Sequence, residues 1–308
     1  MTTADPTQKN LDTAFQTDLR KRYRQGNIFR IISMIATYIG LVVLAVLLID
    51  VFIDGISTID RDFFTSYPSR RPDQAGFLSA WVGSIWLMVI TAIVSSTLGI
   101  GAGIFLEEFA AETWYAKLIE VNIGNLAAVP SIIYGLLGLE AFVRVMGPLT
   151  GGRSVLSGAL TMSLLILPII IVATREALRA VPDSIRQGGL ALGATRWQVV
   201  RDQVFPLAFP GVLTGTILAL SRAIGETAPL IAVGALTYIA FLPSVWPLWD
   251  GLQTPFTVMP IQIFNWVSRP QSEFHNVAAG GIIVLMVVLL LMNSIAIFFR
   301  NKFQKKIN

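Results

Sequence analysis

Long uncharged runs alternate with short charged segments along this 308-residue chain. Nineteen uncharged residues lie between Arg30 and Asp50, and 33 between Asp73 and Glu107, centred on WVGSIWLMVITAIVSSTLGI. Nineteen more lie between Glu120 and Glu140, 21 between Arg153 and Arg175, and 26 between Glu273 and Arg300. A helix crossing the ~30 Å hydrocarbon layer of a bilayer needs about 20 such residues. With the apolar segment that follows Asp202, the pattern predicts six transmembrane helices and an all-α polytopic membrane fold. The expected divisions are a polar tail over 1–27, a first helix over 28–53 and an outer loop over 54–74. A membrane domain over 75–299 and a basic C-terminus over 300–308 follow.

Composition agrees with a chain built for lipid: 54% hydrophobic, 14% charged, mean hydropathy +0.67. An ordinary soluble domain carries roughly 25% charged residues. The first apolar run starts near residue 30 and no small-residue cleavage site follows a short core, so it reads as an anchor rather than a removed signal peptide. Counting Lys and Arg on alternate sides of the six spans places 16 with the two termini and six opposite, with Arg222 inside a span. Cytoplasmic loops carry the basic excess, so both termini are expected in the cytoplasm. The net charge of +4 is then a topological signal and gives no reason to expect nucleic acid as a partner. The basic tail is expected to stay poorly ordered until it meets lipid headgroups.

The chain has no cysteine and one histidine, His275, which excludes thiolate metal sites, disulfides and cysteine nucleophiles. No lysine follows a glycine, so there is no Walker A loop and the chain is not its own ATPase of that type. No internal duplication or low-complexity tract is evident.

The longest connection on the basic side runs over 174–205, TREALRAVPDSIRQGGLALGATRWQVVRDQVF. Pro182 and Asp183 predict a new short helix, and the glycines at 188, 189 and 193 permit close approach. Ile185, Leu190, Leu192, Trp197 and Val200 recur at roughly helical spacing among basic residues. Two readings fit that amphipathic pattern: a helix resting on the lipid interface, or one docking into a partner's groove.

Further along, SRAIGETAPL puts Arg222 and Glu226 four residues apart inside an otherwise apolar segment. If the fifth span enters the membrane near Ala208, Arg222 lies about 21 Å and Glu226 about 27 Å along its axis. An intramembrane arginine costs ~2.5 to 3.5 kcal/mol on the mildest scale, so the pair is expected to face the bundle interior or a water-filled path. A self-contained ion pair pinning this helix to a neighbour is one reading, although Arg before Glu is the weaker order on a helix. Elsewhere, Gly99, Gly101 and Gly103 suggest a small-residue packing face. Pro130, Ser131 and Gly135 suggest a kink in the third span, and Glu107, Glu108 and Glu112 a solvated face at the end of the second.

Several of these stretches carry a resemblance. RQGGLALGATRWQVVRDQVFPLAFPG resembles the cytoplasmic loop of bacterial ABC importer permeases, in which Glu-Ala-Ala, three residues and Gly precede a distant Leu-Pro. The matching positions are Gln187, Gly188, Gly189, Gly193 and Phe205-Pro206, with Gln for Glu, Gly-Gly for Ala-Ala and Phe for Leu. GVLTGTILALSRAIGETAPLI resembles the phosphate-specific (Pst) importers, and the Ala228-Pro229 after Gly-Glu-Thr resembles the PstA type more than the PstC type. GIGAGIFLEEFA from Gly99 and NLAAVPSIIYGLLGL from Asn125 agree, so the resemblance covers roughly 75–299.

The resemblance implies a type I ABC importer permease in the bacterial inner membrane. Its implied partners are a homologous permease (PstC type), an ABC ATPase dimer (PstB type) that holds the ATP and Mg, and an extracytoplasmic phosphate-binding protein (PstS type). Membrane lipid surrounds it. Gln187, Gly188, Gly189, Leu192 and Gly193 would couple to the ATPase; Gly99, Gly103, Pro130 and Gly135 would pack helices. Arg222, with Glu226 and Thr227, would line the phosphate pathway, because a guanidinium fork suits phosphate oxygens. Glu226 would keep the empty path from binding too tightly, since a transport site must also release. The rivals are a permease of the same fold for another oxyanion or small solute, and a carrier that works without an ATPase. The latter has no need of the 174–205 docking loop.

Overall fold

The computed structural model describes residues 19–110 and 114–304. Contacts divide the chain between Ile53 and Asp54 into two units. The first is dominated by helix α1 (Leu19–Gly55), a 37-residue helix apolar around its circumference. It begins nine residues before the expected start of the first span, so residues 19–27 are helical and not a loose tail. The rest of the expected tail, residues 1–18, lies outside the described residues, as do Glu112 and residues 305–308.

In the second unit the connection after α1 carries the short α-helix α2 (Arg61–Thr65), N-capped by Asp60, which accepts from the Phe63 amide at 2.7 Å, between two 3-10 turns. Helix α3 (Leu78–Ile104) follows and continues as a π-helical turn over Phe105–Phe109. Its buried positions Ser79, Gly83, Leu87, Thr91, Ser95, Gly99 and Gly103 recur every four residues. That row of mostly small side chains lets α7 (Val155–Arg179) lie close along it. A Cβ on Gly99 would stand 2.7 Å from Ile170, and one on Gly103 2.7 Å from Thr174, whereas Gly101 faces open space. Only two of the three glycines therefore belong to the packing face.

Helix α7 is the centre of the domain. Ser154 caps its N-terminus, and Val155, Ala159, Met162, Ile166 and Ile170 are buried along one side. Against it pack α3, α10 (Phe205–Ile224), α5 (Ser131–Gly138) and α11 (Ala228–Val233). The third apolar run is not one kinked helix. It forms α4 (Trp114–Leu126) and α5, bent by 102° where Pro130 opens the second arm. Pro130 has no amide hydrogen to donate and disfavours helix at Val129, so α4, which ends at Leu126, does not run on into α5.

After α5 come a π-helical segment, Leu139–Val145, and the short α6 (Gly147–Thr150). Beyond α7 lie α8 (Asp183–Ala191) and α9 (Arg196–Val199), and the latter runs through Val200–Val204 into α10. The connection after α11 then holds α12 (Leu248–Leu252) and α13 (Met259–Val267) before α14 (Glu273–Gln304). Helix α13 is nine residues long, about 14 Å and too short to span a bilayer, yet Ile261, Gln262 and Trp266 are fully buried. The Gln262 amide, turned to donate to the Thr237 carbonyl at 3.1 Å, accepts from Trp266 Nε1 at 3.0 Å. Among the described residues five helices are long and apolar enough to cross a membrane, six if the bent α4–α5 pair counts as one span.

Candidate functional site

The residues singled out from the sequence fall into two places. The first is the end of α10. The expectation of one helix carrying both Arg222 and Glu226 fails, because α10 stops at Ile224 and Gly225 and Glu226 close a last turn by bonding back to Arg222 and Ala223. Thr227 then precedes α11, whose second residue is Pro229 and whose end is set by Gly234 at φ +98°. A left-handed residue at a helix end favours glycine, which has no Cβ to clash.

Arg222 Nε lies 3.5 Å from Glu226 Oε1, with side-chain exposures of 58% and 21%. Arg222 therefore turns away from this chain's own core, while Glu226 is largely covered. Ala219 and Ala223 occupy the buried side of α10, while Leu218, Arg222 and Gly225 share a face that the chain leaves open. A half-exposed i, i+4 pair with Arg first contributes on the order of 0–1 kcal/mol, so holding the fold together is a weak reason for it.

The break after α10 meets the other broken helix. A Cβ on Gly135 would stand 2.6 Å from Pro229 Cα and 2.8 Å from the Ala232 side chain, so only glycine lets α5 lie this close to α11. Tyr134 Oη donates to the Leu126 carbonyl at 2.7 Å and ties the two arms of the α4–α5 bend together. Gly135 and Pro130 thus belong to the support of the 225–228 break. Interrupted helices meeting in this way are the usual means of bringing irregular backbone to membrane depth.

The second place is the 174–205 loop, which forms a helix–turn–helix. Gly193, at φ +83°, follows the last residues of α8, with Gly193 N–H bonding to the Leu190 carbonyl and Ala194 N–H to that of Gly189. That pattern is a Schellman closure with glycine at its left-handed position. Thr195 then caps α9 in a reciprocal pair with Gln198. Gly189 is buried, 2.7 Å from Val199 for a Cβ placed there, so it supplies the close approach. Gly188 has nothing within 4 Å and does not supply it. Gln187, Gly188, Leu190, Leu192 and Trp197 are exposed, Leu192 at 88%.

Beneath this turn lies a set of charges that sequence reasoning assigned to a solvated face. Glu108 is only 6% exposed and Glu107 16%. Arg186 on α8 donates to Glu108 through Nε and, at 2.7 Å, through Nη2. Its other donors reach the Val181 and Leu178 carbonyls at 2.8 and 2.9 Å and Asp183 at 3.2 Å, so all five N–H groups have acceptors. The Leu178 carbonyl sits in the last turn of α7, where helix carbonyls lack intrahelical partners. Hydrogen bonding to Glu108 is the main cause that holds the Arg186 pKa above the usual guanidinium value, and it outweighs desolvation, which would lower it. Glu107 bridges Arg175 Nε at 3.1 Å and Arg179 Nε at 2.8 Å, and Glu120 on α4 meets the same two arginines at 3.0 and 3.3 Å. The available signal was chemical: adjacent glutamates beside an apolar run, on the side where the arginines of 175–186 also fall.

Residues 99–308 match the family of binding-protein-dependent transport system inner membrane components, and residues 16–65 match a domain of unknown function. The phosphate transport system permease protein PstA of Xylella fastidiosa strain Temecula1 is 32% identical over 295 residues, which cover 95% of this chain and 99% of that protein. The PstA protein of Yersinia pestis is 30% identical over 284 residues, 91% of this chain and 92% of that one. A chain of a bacterial alginate ABC transporter, crystallised with its alginate pentasaccharide-bound periplasmic protein, superposes with a TM-score of 0.64. At 14% identity, covering 91% of this chain and 96% of that one, it carries the fold alone. The family match takes in both broken helices and the helix–turn–helix, and this chain belongs to the binding-protein-dependent transport system inner membrane component family.

Proposed function

We propose that this chain is the PstA-type permease subunit of an ATP-driven importer that moves inorganic phosphate into the cytoplasm. The observation that carries the reading is likeness to PstA proteins over more than nine-tenths of the chain. The chain does no bond chemistry; ATP and Mg belong to a partner ATPase. Both termini lie on the cytoplasmic side of the bacterial inner membrane, following the Lys and Arg excess.

In this reading the open face of Leu218, Arg222 and Gly225 meets a homologous permease of PstC type, so the pathway runs between two subunits. Arg222 offers a planar donor fork to phosphate oxygens, and attraction in a low-dielectric path offsets part of the anion's desolvation. Glu226 sets a limit on that attraction and accepts a hydrogen bond from protonated phosphate, which sulfate at neutral pH cannot donate. Thr227 stands at the break beside them. An ATPase dimer of PstB type receives Gln187, Gly188, Leu192 and Gly193, while Gly189 holds the receiving surface in shape. A phosphate-binding protein of PstS type delivers phosphate from outside.

Radiolabelled phosphate uptake into vesicles that hold the chain and its co-purifying partners tests this. ATP-dependent uptake that excess sulfate does not suppress is the expected result. ATP-driven uptake of a different oxyanion would keep the permease and remove phosphate; uptake without ATP would remove the ATPase.

A further inference from the structure

We propose that Glu108 and Glu107 are positioning residues: the Arg186–Glu108 pair and the Glu107 clasp on Arg175 and Arg179 form the fixed joint that carries displacement of α8 into the α4–α5 bend. The inference rests on the reading of this chain as an ATP-driven permease and not on which solute it moves.

The geometry sets the order of the links. Arg186 ties α8 to the 105–109 turn at the end of α3 through Glu108. The neighbouring Glu107 ties that turn to α7, and Arg175 and Arg179 pass the connection to Glu120 on α4. Leu126 at the end of α4 accepts from Tyr134 on α5, and Gly135, the next residue, lies against Pro229 of α11. Helix α11 begins directly after Thr227. Each link is a hydrogen bond, an ion pair or a backbone contact with no slack for a water.

Two features mark Arg186–Glu108 as a joint and not a surface ion pair. Every donor of the guanidinium is engaged, one by the Leu178 carbonyl in the last turn of α7 and one by the Val181 carbonyl just beyond it, and Glu108 is almost fully buried. Moving the Arg186 side chain breaks several of these bonds at once, so α8 is tied both to the turn after α3 and to the end of α7. By contrast, the outward residues Gln187, Gly188 and Leu192 are free to meet a partner. Receiving surface and joint share one short helix and the turn that closes it, the arrangement a lever requires.

The chain has no cysteine, so single labels report on chosen sites. Spin labels at Ser184→Cys on α8 and Lys117→Cys on α4, both exposed, would be read in the assembled complex with and without Mg-ATP. The expected result is one narrow distance distribution in both states, broadened by Glu108→Gln. Uptake per ATP hydrolysed should fall at least about fivefold in that variant, the low end of coupling between sites, while hydrolysis itself persists. Should Glu108→Gln fail to assemble, Arg179→Gln removes one side of the Glu107 clasp at a half-exposed position and should broaden the same distance. An unchanged distribution in the assembled variant overturns the joint. Wild-type vesicles that hydrolyse ATP but take up no phosphate would instead remove the phosphate reading, leaving the label distance to decide the joint.

Discussion

Gly135 and Pro229 meet where two broken helices cross, so close that a Cβ on Gly135 would stand 2.6 Å from Pro229 Cα. The obstacle is backbone, which cannot rotate away as a side-chain tip can. Gly135→Ala should therefore force α5 and α11 apart and destabilise the chain by about 1–3 kcal/mol, the usual cost of overpacking. Gly101 is the control, since nothing lies within 4 Å of its missing Cβ and the position is exposed on α3. Gly101→Ala should be neutral or stabilising by up to about 1 kcal/mol through helix propensity. Thermal unfolding in detergent separates the two; equal shifts would mean that the close approach at Gly135 does not matter.

Tyr134 holds the 102° bend by donating to the Leu126 carbonyl. Tyr134→Phe keeps the ring in its buried place and removes only that bond. The loss should be about 0.5–1.5 kcal/mol, and towards the lower end because Val129 N–H also reaches the same carbonyl at 3.1 Å. Backbone amides over 127–133 should exchange several times faster, with global unfolding little changed. Exchange confined elsewhere would place the restraint on the bend in the proline alone.

How much of this was legible in the sequence follows the range of the forces involved. Run length is local, and it located the five long apolar helices and the bent pair between the second and the fourth run. The start of the 183–191 helix was also local, set by Pro182 and Asp183, whereas close approach was expected of three glycines and only Gly189 supplies it. The bend at Pro130 was underestimated because an unbroken apolar run looks the same whether its two halves are collinear or at right angles. Gly225 ended α10 where an apolar run suggested continuation, and that moved Glu226 off the helix. Glu107 and Glu108 were misread for a different reason. Their partners lie 68 to 78 residues away, and nothing near them in sequence records that an arginine will fold onto them.

Arg222 is more than half exposed, with one long contact to Glu226, so replacing it should leave stability within about 0.5 kcal/mol. Arg222→Gln should nevertheless abolish phosphate uptake while the permease pair and its ATPase still co-purify. Arg222→Lys keeps the charge but not the planar fork, and should fall between the two. Normal uptake by Arg222→Gln would remove the anion role, and loss of assembly together with uptake would return the residue to a structural one.

Leu192 and Gly193 are neighbours whose replacements should differ in their effect on stability. Leu192 is 88% exposed and makes no buried contact within the chain, so Leu192→Asp should leave thermal stability unchanged. If that side chain is buried by an ATPase, its loss removes about 1.5–3 kcal/mol of association, tenfold or more in affinity. Gly193 sits at φ +83°, where an L side chain costs roughly 1–2 kcal/mol. Gly193→Ala should therefore lower the unfolding temperature and, by twisting the turn between α8 and α9, weaken ATPase capture as well. Co-purification measured beside thermal unfolding separates the two effects: a Leu192→Asp chain that still captures its ATPase at wild-type yield would show that the exposed face of α8 rests on lipid and does not receive the motor.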